Sequence, residues 1–206
     1  QLRHLVKHAE LDYSVLDLMK EDSTAGVIQK ELAQLVKRGN LARRDPGAVV
    51  SDGPAQNSLF QHEADALRAI DQRIRGASLG TMLGNLDVHD SQSNRYFETD
   101  AVVIAPFGIY VVELKHWSGR IEVRPNSWLQ NRSFFKRDPH RSNGFKARLL
   151  KGLYERRFPS FPSLFFESVV VLTNPDAVIH GVSVASTSGH NPTLAGIDKF
   201  VQYLKK

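Results

Sequence analysis

Apolar positions follow two different rhythms along the chain. Up to about residue 44 they recur at helical spacing, with Leu2, Leu5, Val6, Leu16 and Met19 followed by a periodic stretch from Val27 to Leu41 and a Gly39-Asn40 stop. This predicts a small basic helical appendage over residues 1–50. Arg43, Arg44, Asp45, Pro46 and Gly47, then Val49 and Val50, read as a small strand or wing. The appendage is therefore either a winged-helix-like DNA-binding module or a helical packing arm, and the pattern alone favours the arm. A polar, breaker-rich run from Asp52 to Ser58 reads as a linker over 51–58, which leaves 59–206 as the main domain.

In that domain a helix is predicted from Leu59 to about Arg75, with Ser58 as N-cap and Gly76 as stop. The period then changes to two. Strands are predicted at Thr81 to Val88, Thr99 to Ala105 and Ile109 to Trp117, with a short continuation at Gly119 to Val123. A basic helix follows from about Asn143 to Phe158, then β-branched runs at Phe166 to Thr173 and Val182 to Ala185, and a last helix from about Thr193 to Leu204. The order αβββαβ predicts an α/β domain whose mixed central sheet is flanked by helices.

Composition narrows the chemistry. The chain's 206 residues suffice for one such domain plus the appendage, and 27 Lys and Arg against 22 Asp and Glu give a charge of +5 that favours a polyanionic partner. Absence of cysteine excludes disulfides and thiolate sites, so any metal is held by oxygen or nitrogen, and it fits either a reducing cytoplasm or a fold that needs no disulfide. The longest apolar run, Ala101 to Val112, is broken by Pro106 and Gly108 and falls short of the ~20 residues of a membrane span. There is no Walker-type phosphate loop and no nucleophile elbow. The start at Gln1 and the end on Lys205 and Lys206 read as those of a piece of a larger protein.

One strand stands out. Ile109, Val111, Glu113, Lys115 and Trp117 share one face of a run that is apolar on both faces, so its carboxylate and ammonium need a partner or a ligand. A tight turn at Pro106-Phe107 places Asp100 opposite Glu113 on the same face. Two carboxylates about 5 Å apart repel, and a shared proton or a divalent cation relieves them. Mg²⁺ or Mn²⁺ suits such oxygen ligands, with Lys115 beside them to orient water or to stabilise charge on a phosphate. The competing reading is a structural Glu-Lys pair with Asp100 as a turn residue. Register and apolar flanks favour the site.

Glu63 falls within the stripe of Phe60, Leu67, Ile70 and Ile74, which makes it either a further ligand or an ordinary boundary acid. Downstream, Lys136, Arg137, Arg141, Lys146, Arg148, Lys151, Arg156 and Arg157 crowd one segment, interleaved with Trp128, Phe134 and Phe135. They form either a phosphate-gripping wall for DNA or a solvated helix face. His62, His89, His116 and His140 show no metal-ligand spacing and are read as structural or surface residues.

The run from Thr99-Asp100 through the apolar strand to Pro106-Phe107-Gly108-Ile109, then the strand ending Glu113-Leu114-Lys115 and the tail His116-Trp117-Ser118-Gly119, resembles the nuclease-related domain (NERD) of the PD-(D/E)xK phosphodiesterase superfamily. His116 stands where that family usually has Asn. The resemblance continues through Trp128, Asp138-Pro139 in place of a common Asn-Pro, and a basic helix with Asn143, Lys146 and Lys151 but without the usual Gln. The Glu63 helix lacks the usual glycines. Coverage runs from about residue 59 to the end. The resemblance implies a restriction-endonuclease-like core with Asp100 and Glu113 as metal ligands, Lys115 as catalytic lysine and Glu63 as accessory acid. It also implies Mg²⁺ or Mn²⁺ as cofactor, with DNA gripped by Lys136, Arg137, Asn143, Lys146 and Lys151. Such domains are often fused to kinases, helicases or other parts of bacterial defence systems, phage defence included. The expected activity is metal-dependent endodeoxyribonuclease; the rival is a non-cleaving nucleic-acid-binding or regulatory module that keeps the fold.

Overall fold

A computed structural model of the chain describes residues 41–43, 54–90, 92–124, 127–160, 163–181 and 191–205, with side chains left out for 41–43 and 54–60. The helical appendage before residue 41 and the strand expected at Val182 to Ala185 lie outside the described residues. The elements are β1 (Leu41–Arg43), α1 (Pro54–Gly76), β2 (Thr81–Asp90), β3 (Arg95–Ala105), β4 (Gly108–Lys115), β5 (Gly119–Arg124), β6 (Ser127–Gln130), β7 (Phe134–Arg137), α2 (Pro139–Arg157), β8 (Phe166–Leu172), β9 (Ala177–His180), β10 (Thr193–Ala195) and α3 (Ile197–Tyr203).

Six strands form the main sheet in the order β1-β2-β3-β4-β8-β10, antiparallel from β1 to β4 and parallel from β4 through β8 to β10. The mixed α/β sheet predicted from the sequence is present. Its central strands are apolar on both sides because helices cover both faces. Ala101, Val103, Val112 and Leu114 pack with Leu67, Ile70 and Ile74 of α1 and Phe200 of α3. Val102, Ile104, Ile109 and Val111 pack with Ala147 and Leu150 of α2.

Four expectations change. The last helix, expected from Thr193, begins at Ile197, because Thr193–Ala195 pairs with β8 as a parallel strand. The opening helix starts at Pro54, so Ser58 lies inside it instead of capping it. Helix α2 begins at Pro139, where the fixed φ of proline suits the first helical position and Asp138 accepts a hydrogen bond from the His140 N–H at 2.9 Å. Leu41–Arg43 is an edge strand paired with β2.

The pattern also left out a second sheet, ordered β7-β6-β5-β9. Its strands are only four to six residues long, too short for alternation to register as a period. Ile121 and Trp128 of this sheet pack with Val170 and Leu172 of β8, which joins the two sheets. Among the described residues no helix is long and apolar enough to cross a membrane.

Candidate active site

The β3–β4 hairpin has the register read from the sequence: Ala105 pairs with Gly108 and Ala101 with Val112 across the Pro106-Phe107 turn. Pairing stops at Ala101, one residue short of Asp100. There the Leu114 N–H turns to the side chain and donates to Asp100 Oδ2 at 2.7 Å. Asp100 thus closes the end of the ladder with its carboxylate.

The same position breaks the pleat on the neighbouring strand. Gly84 pairs with Ala101 and Leu86 with Thr99, leaving Asn85 and Asp100 out of the ladder, and Asn85 adopts φ +52°. Leu83 and Leu86 are three apart, yet both pack on the α2 side, as do Phe97 and Val102, which are five apart. Strict alternation forbids either pair, so the side-chain faces slip by one residue at Asn85 and Asp100. The slip turns Glu98 and Asp100 toward α1. Glu63, Glu98 and Asp100 there offer carboxylate oxygens within 4.8 Å of one another.

Glu113 takes a different place from the one expected. It stays on the α2 side, where Lys115 Nζ lies 2.5 Å from Oε1 and Lys146 Nζ 2.6 Å from Oε2. Asp100 and Glu113 therefore meet at the splayed end of the hairpin rather than as a cross-strand pair. The two lysines divide the titration. Burial tends to raise the Glu113 carboxyl, but Lys115 and Lys146 outweigh it and hold Glu113 below the ordinary value. Asp100 is pushed up to about 7, first by burial and then by the Glu113 charge, with Lys115 and the Leu114 N–H partly opposing. Burial disfavours the Lys115 ammonium, yet Glu113 and Asp100 raise it overall, so Lys115 stays charged.

A buried acid driven toward neutrality inside a three-carboxylate cluster is short of positive charge. Hard oxygen donors of this kind match Mg²⁺, Mn²⁺ or Ca²⁺, and the residues fit the divalent metal use suggested by the fold. Glu98 was not singled out in the sequence. Its only signal was the i, i+2 spacing to Asp100, which a half-exposed hairpin strand shows by chance.

The residues expected to grip nucleic acid separate into three groups. Asn143 is fully buried and its amide donates to Val111 O at 2.7 Å, Ser168 Oγ at 2.9 Å and Val169 O at 3.2 Å. It ties α2 to β4 and β8 and does not reach a ligand surface. Lys146 is engaged by Glu113 inside the site. Arg137 is exposed, Lys136 lies 5.6 Å from the Trp117 ring centroid, and Lys151 is 3.7 Å from Glu155. Two of the histidines read as structural or surface residues form a stacked pair. His62 of α1 lies on His116 with centroids 4.1 Å apart, and His116 is fixed by Thr173 Oγ1 at 3.1 Å and Asn174 at 3.2 Å.

Comparison with known proteins follows this geometry. The chain is 26% identical over 153 residues to "Probable kinase PglW" of Streptomyces coelicolor, a match that takes in 72% of this chain and 9% of that protein. The chain thus spans less than a tenth of this curated relative. Among solved structures, the crystal structure of protein VC1899 from Vibrio cholerae matches 92% of this chain and 45% of its own, with 12% identity and a TM-score of 0.37, a likeness too loose to argue from. A family model described as nuclease-related domain matches residues 60–173, more than half of the chain and all of the hairpin that carries Asp100, Glu113 and Lys115. By that match the chain belongs to the nuclease-related domain family, in the PD-(D/E)xK phosphodiesterase superfamily.

Proposed function

We propose that this domain is a Mg²⁺- or Mn²⁺-dependent endodeoxyribonuclease. One observation carries the reading: buried Asp100 stands in a three-acid cluster, directly beside a strand end where the Lys115 ammonium is held on Glu113. Glu63, Glu98 and Asp100 would hold the cation. When bound, it would make a water more acidic and neutralise charge building on a phosphodiester.

The chain's own residues supply the rest. Lys115 keeps its proton, so it does not act as a base; its charge faces the phosphate oxygens and stabilises the negative charge that grows there. Glu113 fixes that ammonium, and Lys146 fixes Glu113 from the helix side. The Leu114 N–H sets the direction of the Asp100 carboxylate. In the reaction the water oxygen bonds to phosphorus and gives up a proton to solvent, while the bond to the leaving sugar oxygen breaks and that oxygen takes a proton from solvent. The likeness to one short part of a probable kinase fits a nuclease module within a larger protein.

One observation favours a second reading. Glu113, expected as a metal ligand, is occupied by two ammonium groups and lies outside the three-acid cluster, and a domain that needs its carboxylate on the cation would bind nucleic acid without cutting it. A cleavage assay with Mg²⁺ or Mn²⁺ on plasmid and on single-stranded oligodeoxynucleotide separates the two. Cleavage that EDTA stops, and that Asp100→Ala and Lys115→Ala reduce by about a hundredfold or more, is the expected result. Equal nicking by wild type and both variants would refute the assignment; binding without cleavage would establish the second reading.

A further inference from the structure

The second sheet carries a feature that the acid cluster does not use. Strand β7 and its turn, Asn131 to Arg137, hold three cations, Arg132, Lys136 and Arg137, and no acid. Between the cations stand Phe134 and Phe135, 62% and 66% exposed. Two adjacent exposed phenylalanines would weaken solubility unless they meet something flat and apolar, and the flanking charges call for an anion.

The β6–β7 turn is fastened to the start of β5 and the residue before it: the Asn131 N–H donates to Arg120 O at 2.7 Å, the Arg120 N–H to Asn131 Oδ1 at 2.9 Å, and Gln130 Nε2 to Ser118 O at 2.9 Å. Gly119 makes the close approach possible, because at φ +75° a Cβ there would lie 2.3 Å from Asn131 Oδ1. The latched segment starts three residues after Lys115. Lys136 sits against Trp117, two residues beyond Lys115, with its Nζ 5.6 Å from the ring centroid, and by alternation Phe134 lies on the same side of β7 as Lys136.

We propose that the β6–β7 hairpin is a stacking arm that holds unpaired nucleobases beside the Asp100–Lys115 site, so that the substrate is single-stranded or frayed nucleic acid. Bases in an intact duplex are stacked on one another and offer no free face, whereas an unpaired base can lie on Phe134 or Phe135 while Arg132, Lys136 and Arg137 meet its phosphates. The inference rests on the nuclease reading for the location of the site, but binding tests it separately from cleavage.

The experiment measures binding of fluorescein-labelled 20-mer oligodeoxynucleotides, single-stranded and duplex, in Ca²⁺ by anisotropy. The proteins are wild type, Phe134→Ala, Phe135→Ala, Phe134→Leu, Phe134→Trp, and Phe107→Ala as an equally exposed control at the opposite end of the β3–β4 hairpin. Circular dichroism checks folding. Phe134→Ala is expected to weaken single-strand binding roughly tenfold or more while duplex binding changes less than about threefold, and Phe135→Ala, on the other face of β7, to weaken it less than Phe134→Ala does. Phe134→Leu should lose what Phe134→Trp keeps, and Phe107→Ala should change nothing. Equal losses on both substrates, or none on either, overturn the proposal. So does self-association in the ultracentrifuge that Phe135→Ala abolishes while DNA binding stays unchanged, which would assign the aromatics to a second copy of the chain. Selective loss of single-strand binding in a protein that cuts nothing would sink the nuclease reading and leave the arm standing.

Discussion

Replacing Asn143 by alanine separates a core role from a nucleic-acid contact in a single variant. The side chain is fully buried, and its amide supplies hydrogen bonds to Val111 O and Ser168 Oγ at 2.7 and 2.9 Å, with a longer third to Val169 O. Alanine removes the donor and leaves a buried carbonyl and hydroxyl without it, at a cost of about 1–3 kcal/mol. The space left by the amide adds on the order of 1 kcal/mol, and the better helix propensity of alanine offsets about half of that. The net loss is about 1.5–3.5 kcal/mol, which lowers Tm by roughly 3–14 °C for a domain of this size. Urea denaturation with an unchanged m-value measures the loss, and anisotropy on folded protein measures DNA affinity, which should stay within about twofold of wild type. Unchanged stability with weakened DNA binding would refute the core assignment and return Asn143 to the ligand surface.

Lys146→Met removes one of the two ammonium groups on Glu113 while Lys115 remains, so a loss of about 1–2 kcal/mol is expected, below the cost of leaving a buried charge unpaired. A double-mutant cycle with Glu113→Gln that gives no coupling would contradict the pair. Asp100 has a folded pKa of about 7, raised from 3.8, so in EDTA its contribution is complete below pH 4 and is lost as pH rises through 7. Asp100→Asn should therefore gain on wild type across that window, by no more than about 4 kcal/mol, and Ca²⁺ should reverse the order. A difference that does not vary with pH would rule this out. Burial holds His140 below its ordinary 6.5, against the opposing pull of Asp138, while its Nε2 meets Thr193 Oγ1 at 2.7 Å. Stability from this group is present above pH 6.5 and falls as pH drops through the lowered value, and thermal melts of His140→Gln should lack that acid step.

Much of this protein is legible in one dimension. The period-two runs at Thr99 to Ala105 and Ile109 to Trp117 specify a hairpin, and a two-residue turn determines its register, so the Ala101–Val112 pairing follows from counting. The apolar stripe of α1 and the breakers after it locate the first helix, and the Asp100, Glu113 and Lys115 pattern points to the family. These are local properties, set by spacing, turn chemistry and side-chain alternation.

The rest depends on contacts between residues distant in sequence. The pleat slip at Asn85 and Asp100 sends Asp100 toward Glu63 and Glu98 and leaves Glu113 to Lys115 and Lys146. No alternation rule carries such a slip, because its position depends on how β2 and β3 together splay between two helices. Lys146 and Asn143 look like surface residues of a basic helix until α2 docks, and docking decides which side of that helix faces β4 and β8. The small sheet is set by packing of Ile121 and Trp128 against β8, a contact no four-residue strand announces. The sequence by itself determined which chemical groups are available and the hairpin that brings them near one another. Only the tertiary structure decided which acids cluster, which lysines are paired and which aromatics remain exposed, because those outcomes depend on competition among distant side chains for the same space and charge.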